Sequence, residues 1–361
     1  MTRLDGLDVA VVNWRDPWHP QAGGAERYAW EMALGLVARG AKVRYVTARA
    51  PGQPRTDRRD GIPVIRLGGR FTVYPLVLGY LLLHRRSIDA VLDCQNGIPF
   101  FTPWVVRRRA RVVLVMHHVH TTQFGVHFPP WMARAGRFLE GPVARRAYAR
   151  HPCAAVSPST VAAMRDRLRW PGSISIVHNG VTQSPSAPAD QPADRASLSW
   201  VGRLVAHKRV ELLIPLARRM PAVTIDVIGH GPAAAALDDA PANIEVHGYL
   251  SEDEKHALVA RSVLHLNTSQ GEGWGLCVIE AAASGVPTVA FDVEGLRDSI
   301  RDGETGWLVR DGESLADVTE RALKELADPA RRDQIAAACR AWAAGFTWDS
   351  SADQMAKLLV R

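Results

Sequence analysis

A chain of 361 residues, 47% hydrophobic and 22% charged, is longer than one hydrophobic core usually serves and has the composition of a globular protein of two domains. It holds no run of about 18 apolar residues, and MTRLDGLDVAVVNW at its start lacks the basic segment, long apolar stretch and cleavage site of an export signal, so a cytoplasmic chain is expected. The net charge of +7 is uneven: residues 1–190 carry 26 Lys and Arg against 12 Asp and Glu, and residues 191–361 carry 18 against 25.

In chain order, DVAVVNW (8–14) reads as a strand, AERYAWEMALGLVARG (25–40) as a helix and KVRYVTA (42–48) as a strand. AVLDCQN, RVVLVMH, CAAVS and SISIVHNG continue the strand pattern. Strands alternating with helices predict a parallel sheet with crossover connections. TQSPSAPADQPADR (182–195) has no apolar periodicity and lies where the charge balance changes sign, so it reads as the linker. The pattern then restarts with SLSWVGR, VTIDVIG, NIEVHGYL, VLHLNTS and TVAFD, and closes in three helical runs, the last separated by Gly345. The expected fold class is α/β, two Rossmann-like domains over residues 1–185 and 186–345 with a final helix, 346–361, returning to the first. Ligands of such sheets bind outside the carboxyl ends of the strands, in a cleft expected between the two halves. Cys94, Cys153, Cys277 and Cys339 have no ligand spacing and are expected to be reduced and buried.

The strand-end loops carry the chemistry. Gly23 and Gly24 open a helix whose first N–H groups suit an anion, and Glu26 suits the helix dipole. His117, His118 and His120 end a strand; three imidazoles invite a metal, but no clustered carboxylate or cysteine completes a site, and none is expected. VGRLVAHKR places Arg203 and Lys208 in a strand-to-helix loop, where a planar donor and a point charge suit a diphosphate. VIGHGP brings Gly229 and Gly231 to the next strand end, for close backbone approach. HGYLSEDE brings Tyr249 and Leu250, with Ser251 and Glu254 forming a capping box. In GEGWGLCVIEAAASG, Gly271, Gly273 and Gly275 precede a helix of about two and a half turns. Glu272 lies before that helix and Glu280 inside it, so they are not an adjacent pair on one helical face.

GGAER, HHVH, VGRLVAHKR and the Glu272–Glu280 spacing together resemble the retaining glycosyltransferase family 4, of GT-B fold, over nearly the whole chain. The resemblance implies a metal-independent hexosyltransferase with a UDP- or GDP-hexose as co-substrate and no cofactor. It implies that Arg203 and Lys208 hold the diphosphate and Glu280 the ribose. Glu272, with the backbone of Gly273, Trp274 and Gly275, would hold the sugar and the neighbouring phosphate. Gly23 and Gly24 would approach the diphosphate, and His118, with His117 adjacent as the alternative, would contact the sugar. Gly229, Gly231, Tyr249, Leu250 and Leu276 complete the expected donor site, and no covalent intermediate on Glu272 is expected. The basic first half, with RRRAR (107–111) and the stretch Trp131 to Arg150, points to an anionic membrane surface or acceptor rather than nucleic acid. A soluble sugar or natural-product acceptor is the competing reading, and a non-catalytic nucleotide-sugar-binding protein the rival from another class.

Overall fold

The structure, a computed structural model, describes residues 2–121, 123–182 and 197–360. The chain divides into two compact units, Met1–Gly180 with Trp348–Arg361, and Val181–Thr347. Beyond Thr182, the predicted linker lies outside the described residues, as does the 185/186 boundary.

The first unit is built on β1 (Asp8–Asn13), β2 (Lys42–Thr47), β3 (Thr56–Arg59), β4 (Ile62–Arg66), β5 (Ala90–Gln95), β6 (Arg111–Met116), β7 (Cys153–Ala155) and β8 (Ile174–Ile176). They lie in the order β3-β4-β2-β1-β5-β6-β7-β8. Val9 to Asn13 and Ala90 to Gln95 are buried without alternation, as in strands covered on both faces. One edge departs from the expected parallel sheet: β3 and β4 pair antiparallel. Asp60 (φ +47°) and Gly61 (φ +79°) form their two-residue turn, the dipeptide that a tight hairpin favours. An apolar helix, Val73–His84, crosses from β4 to β5.

Helix Gly24–Val37, which follows β1, packs against the last helix, Trp348–Leu359. Their approach is close enough that a Cβ on Gly35 would fall 2.3 Å from that of Ala352. Arg39, almost fully buried, pairs with Asp349 at 2.9 Å, Arg111 donates to the Leu358 carbonyl at 3.0 Å, and the Ser351 hydroxyl donates to the His178 carbonyl at 2.7 Å. These bonds anchor the final helix in the first unit.

The second unit is built on β9 (Ser197–Val201), β10 (Thr224–Ile228), β11 (Ile244–Gly248), β12 (Leu264–Asn267), β13 (Thr288–Phe291) and β14 (Gly306–Val309). All neighbours are parallel in the order β11-β10-β9-β12-β13-β14. The strand order reverses between β9 and β12 here, and between β1 and β5 in the first unit. Loops that leave such switch points are where open α/β sheets hold ligands. All four cysteines are free; Cys94, Cys153 and Cys339 are buried, but Cys277, on the helix after β12, is only half-buried, which corrects the expectation of four buried thiols. Among the described residues no helix is long and apolar enough to cross a membrane.

Candidate active site

The loop after β9 and the loop after β12 meet at the second unit's switch point, and four polar links join them. The Lys208 ammonium pairs with the Glu272 carboxylate in a short contact. The Thr268 hydroxyl donates to the Lys208 carbonyl at 2.6 Å, and the Gln270 N–H to the His207 carbonyl at 2.9 Å. Arg209, in the left-handed region at φ +50°, turns its guanidinium onto the carbonyls of Thr268 (2.8 Å) and Ser269 (3.2 Å). Below them, the Trp200 indole donates to the Thr268 hydroxyl at 2.9 Å.

Lys208 and Glu272 have side chains only 15% and 17% exposed, so their charges matter to each other. Burial pushes the Glu272 carboxyl up, but the Lys208 charge, with hydrogen bonds from Lys208 and Ser269, outweighs it and holds the group below its ordinary range. Burial lowers Lys208 in turn, and Glu272 more than reverses that. Both groups are therefore charged at neutral pH. Arg203, half-buried on the same loop, is near enough for its charge to oppose protonation of Lys208.

Glycines fit this loop cluster together. A Cβ on Gly229 (φ +141°) would lie 1.9 Å from the Gly202 carbonyl oxygen, and one on Gly231 (φ +154°) 2.3 Å from that of Leu204. The neighbouring protein loop thus makes a close approach of its own to both glycines. Gly229→Ala is expected to destabilise the second unit by about 2–3 kcal/mol in urea unfolding. A loss below about 0.5 kcal/mol would show that the β9 loop gives way freely.

Gly275 (φ +87°) caps helix Leu276–Ala283, and its conformation requires glycine. Trp274 is buried, 5.0 Å from Phe346 in an edge-on contact, so its ring serves the core. Glu280, one turn into the helix, meets Lys255 at 3.2 Å, a partner sequence spacing did not offer. Tyr249 is 79% exposed beside His230, while Leu250 packs on the apolar cluster of Ile228, Val259, Ala281 and Val286.

Two family profiles match the chain: one described as Glycosyltransferase Family 4 over residues 22–184, and one described as Glycosyl transferases group 1 over residues 195–325. The chain belongs to the family 4 glycosyltransferases. The D-inositol 3-phosphate glycosyltransferases of Mycobacterium tuberculosis and Mycobacterium bovis are 31% identical to it over 208 residues, 51% of this chain and 43% of theirs. The chain therefore matches less than half the length of those curated relatives. Sucrose-phosphate synthase of Thermosynechococcus elongatus superposes with a TM-score of 0.81 at 21% identity, covering 98% of both chains. HepE of Anabaena, solved in complex with UDP and glucose, gives 0.75 at 17% identity, covering 97% of this chain and 98% of that one. The fold is GT-B.

In this family 4 member the first unit holds the remaining expected residues in the loops that follow β1 and β6. The Gly23 N–H is already taken by the Glu26 carboxylate at 2.8 Å, so Glu26 caps the helix, and Asn96 at the end of β5 donates to the same carboxylate at 3.3 Å. His118 is half-buried, whereas His117 is buried, edge-on to Tyr28 at 5.0 Å. Burial, with the His120 charge adding to it, lowers His117 to about 3. Exposure therefore favours His118 for ligand contact, and His117 is a neutral core group. His120 is tied by its backbone N–H to Glu140 at 2.7 Å.

Among the described residues, two groups bring possible metal ligands within 4.8 Å of one another: Asp226–Glu245–His247 and Glu252–His256–Glu280. Neither includes the three imidazoles of the first unit. In the second group the Lys255 ammonium bonds both carboxylates, at 2.9 and 3.2 Å, and so supplies the positive charge itself.

Proposed function

We propose that the chain transfers a hexose from a UDP- or GDP-sugar to a hydroxyl acceptor with retention of anomeric configuration, and that the β9 and β12 loops hold the donor. The observation that carries this reading is the Lys208–Glu272 pair at the second unit's switch point, flanked by Arg203 and the Gly275-capped helix. When the sugar–phosphate bond breaks, negative charge gathers on the leaving diphosphate. Arg203 and Lys208 stabilise it where it forms, together with backbone N–H groups at the start of the helix. No resident metal is needed for that charge. Glu272 orients Lys208 and accepts from the sugar hydroxyls, and Glu280 takes the ribose hydroxyls. His118 contacts the sugar, and the acceptor attacks on the face the diphosphate leaves, its proton passing to a phosphate oxygen.

The excess of cations over anions in residues 1–190 supports an anionic, membrane-held acceptor. The naming of the mycobacterial relatives for D-inositol 3-phosphate supports a soluble phosphorylated acceptor as the second reading. Incubation with a panel of nucleotide sugars, following release of nucleoside diphosphate with lipid and soluble acceptors, tests both. Release from none of the donors would leave the non-catalytic alternative. Glu280→Ala is expected to raise the dissociation constant of the nucleoside diphosphate about tenfold or more, from the loss of charge-assisted hydrogen bonds. Unchanged affinity by calorimetry would remove the ribose role.

A further inference from the structure

Helix Val73–His84, VYPLVLGYLLLH, carries no Asp, Glu, Lys or Arg. Val73, Val77 and Leu81, at i, i+4 and i+8, are buried in the first unit's core with Val46, Ile88 and Val91. The opposite arc carries Pro75, Leu76, Gly79, Leu82 and Leu83, all exposed, with Leu76 47%, Leu82 46% and Leu83 83% accessible. Phe71, just before the helix, is 57% exposed. A crossover helix ordinarily turns charge to water on this arc; an apolar surface of this kind marks a docking site.

Cations bracket the arc. Arg70 precedes the helix, with its guanidinium 5.2 Å from the Phe71 ring, and exposed Arg85 and Arg86 follow it. Among the described residues no acid forms an ion pair with any of the three, and residues 61–88 contain no Asp or Glu. We propose that this helix docks the chain on an anionic lipid bilayer, with Leu76, Leu82 and Leu83 at the acyl boundary and the three arginines among the headgroups. Twelve residues span roughly 18 Å, so the helix lies in the interface and does not cross it. A second copy of the chain is the poorer occupant, because the arc presents only cations at its ends and supplies no acid to meet them. The proposal deepens the membrane-held-acceptor reading and rests on it for the use of docking, while docking itself is measured with no sugar donor present. It also places the contact on a segment other than 107–111 or Trp131 to Arg150.

The test is co-sedimentation with vesicles of phosphatidylcholine containing about one-third phosphatidylglycerol, at low and high salt. Wild type is expected to bind, and Leu76→Ser/Leu83→Glu to lose at least tenfold in partitioning with unchanged circular dichroism and melting midpoint. Arg85→Gln/Arg86→Gln is expected to lose several-fold at low salt only. Three results overturn the proposal: wild type that does not sediment with these vesicles, leucine variants that bind as wild type, or wild type that is a dimer in solution and becomes monomeric in the leucine variants. Diphosphate release to a soluble acceptor, without vesicles, reads the transfer reaction separately. Docking without transfer would count against the enzyme reading alone, and transfer by a chain that never docks against the surface alone.

Discussion

Lys208→Met is expected to destabilise the second unit by about 3 kcal/mol and to lower transfer roughly a hundredfold. The two losses have different origins. Removing the ammonium leaves the Glu272 carboxylate in a buried site with the Ser269 hydroxyl as its named side-chain donor. An uncompensated buried charge accounts for the stability loss, and a diphosphate without its point charge for the rate. Lys208→Met/Glu272→Gln should therefore recover most of the stability and none of the activity. Urea unfolding and diphosphate-release assays on the single and double variants check this. A double variant as unstable as the single one would show that the ion pair is not what Lys208 contributes to the fold. The pair also carries a pH dependence: Glu272 sits below its unfolded value, so its contribution is complete above about pH 4.3 and is lost as pH falls through the folded value.

Acidification is expected to weaken each unit well above that range, through two buried imidazoles. His117 in the first unit and His265 on β12 in the second are both lowered to about 3 by burial. Nδ1 of His265 lies 3.1 Å from the Ser199 hydroxyl, and Nε2 of His117 has no hydrogen-bond partner among the described residues. The unfolded chain binds a proton at each as pH falls through about 6.5, and the folded chain does not until about 3. Stability therefore falls with falling pH across that window, by about 2 kcal/mol per unit between pH 7 and pH 5. Denaturation curves at the two pH values give the slope. His117→Gln should flatten it for the first unit and leave the second unit's slope intact; an unchanged first-unit slope would mean that His117 is protonated in the native state.

The repeated strand–helix alternation made the two Rossmann-like sheets legible, because buried parallel strands leave short continuous apolar runs such as DVAVVNW. The Ser251–Glu254 capping box was legible for a similar reason: it is a local bond, and both partners lie within one turn. The β3–β4 hairpin had its signal in the Asp60–Gly61 dipeptide, but TDRR has no apolar alternation to announce a strand. Helix Val73–His84 was missed because a helix apolar on every side has no period to detect. At the candidate site the sequence named Arg203, Lys208, Glu272 and Glu280. Spacing could not pair Lys208 with Glu272, 64 residues apart, or Lys255 with Glu280, 25 apart, since the strand order decides which loops meet. For Gly229 and Gly231 the sequence indicated a close backbone approach without naming a protein partner, and the loop of Gly202 to Leu204 is what a Cβ at either position would meet.

The anchoring of helix Trp348–Leu359 in the first unit has a consequence for the order in which the chain is made. Residues 2–180 emerge first but lack the surface that buries Tyr28 and Arg39, since Trp348 lies 6.2 Å from the Tyr28 ring and Asp349 holds the Arg39 guanidinium. The second unit, continuous in sequence from Val181 to Thr347, is fully synthesised while the first still waits for its last helix. The usual amino-to-carboxyl order of domain completion during synthesis is thereby reversed. A released chain truncated just short of Trp348 would hold a complete second unit and a first one still open along the face of helix Gly24–Val37.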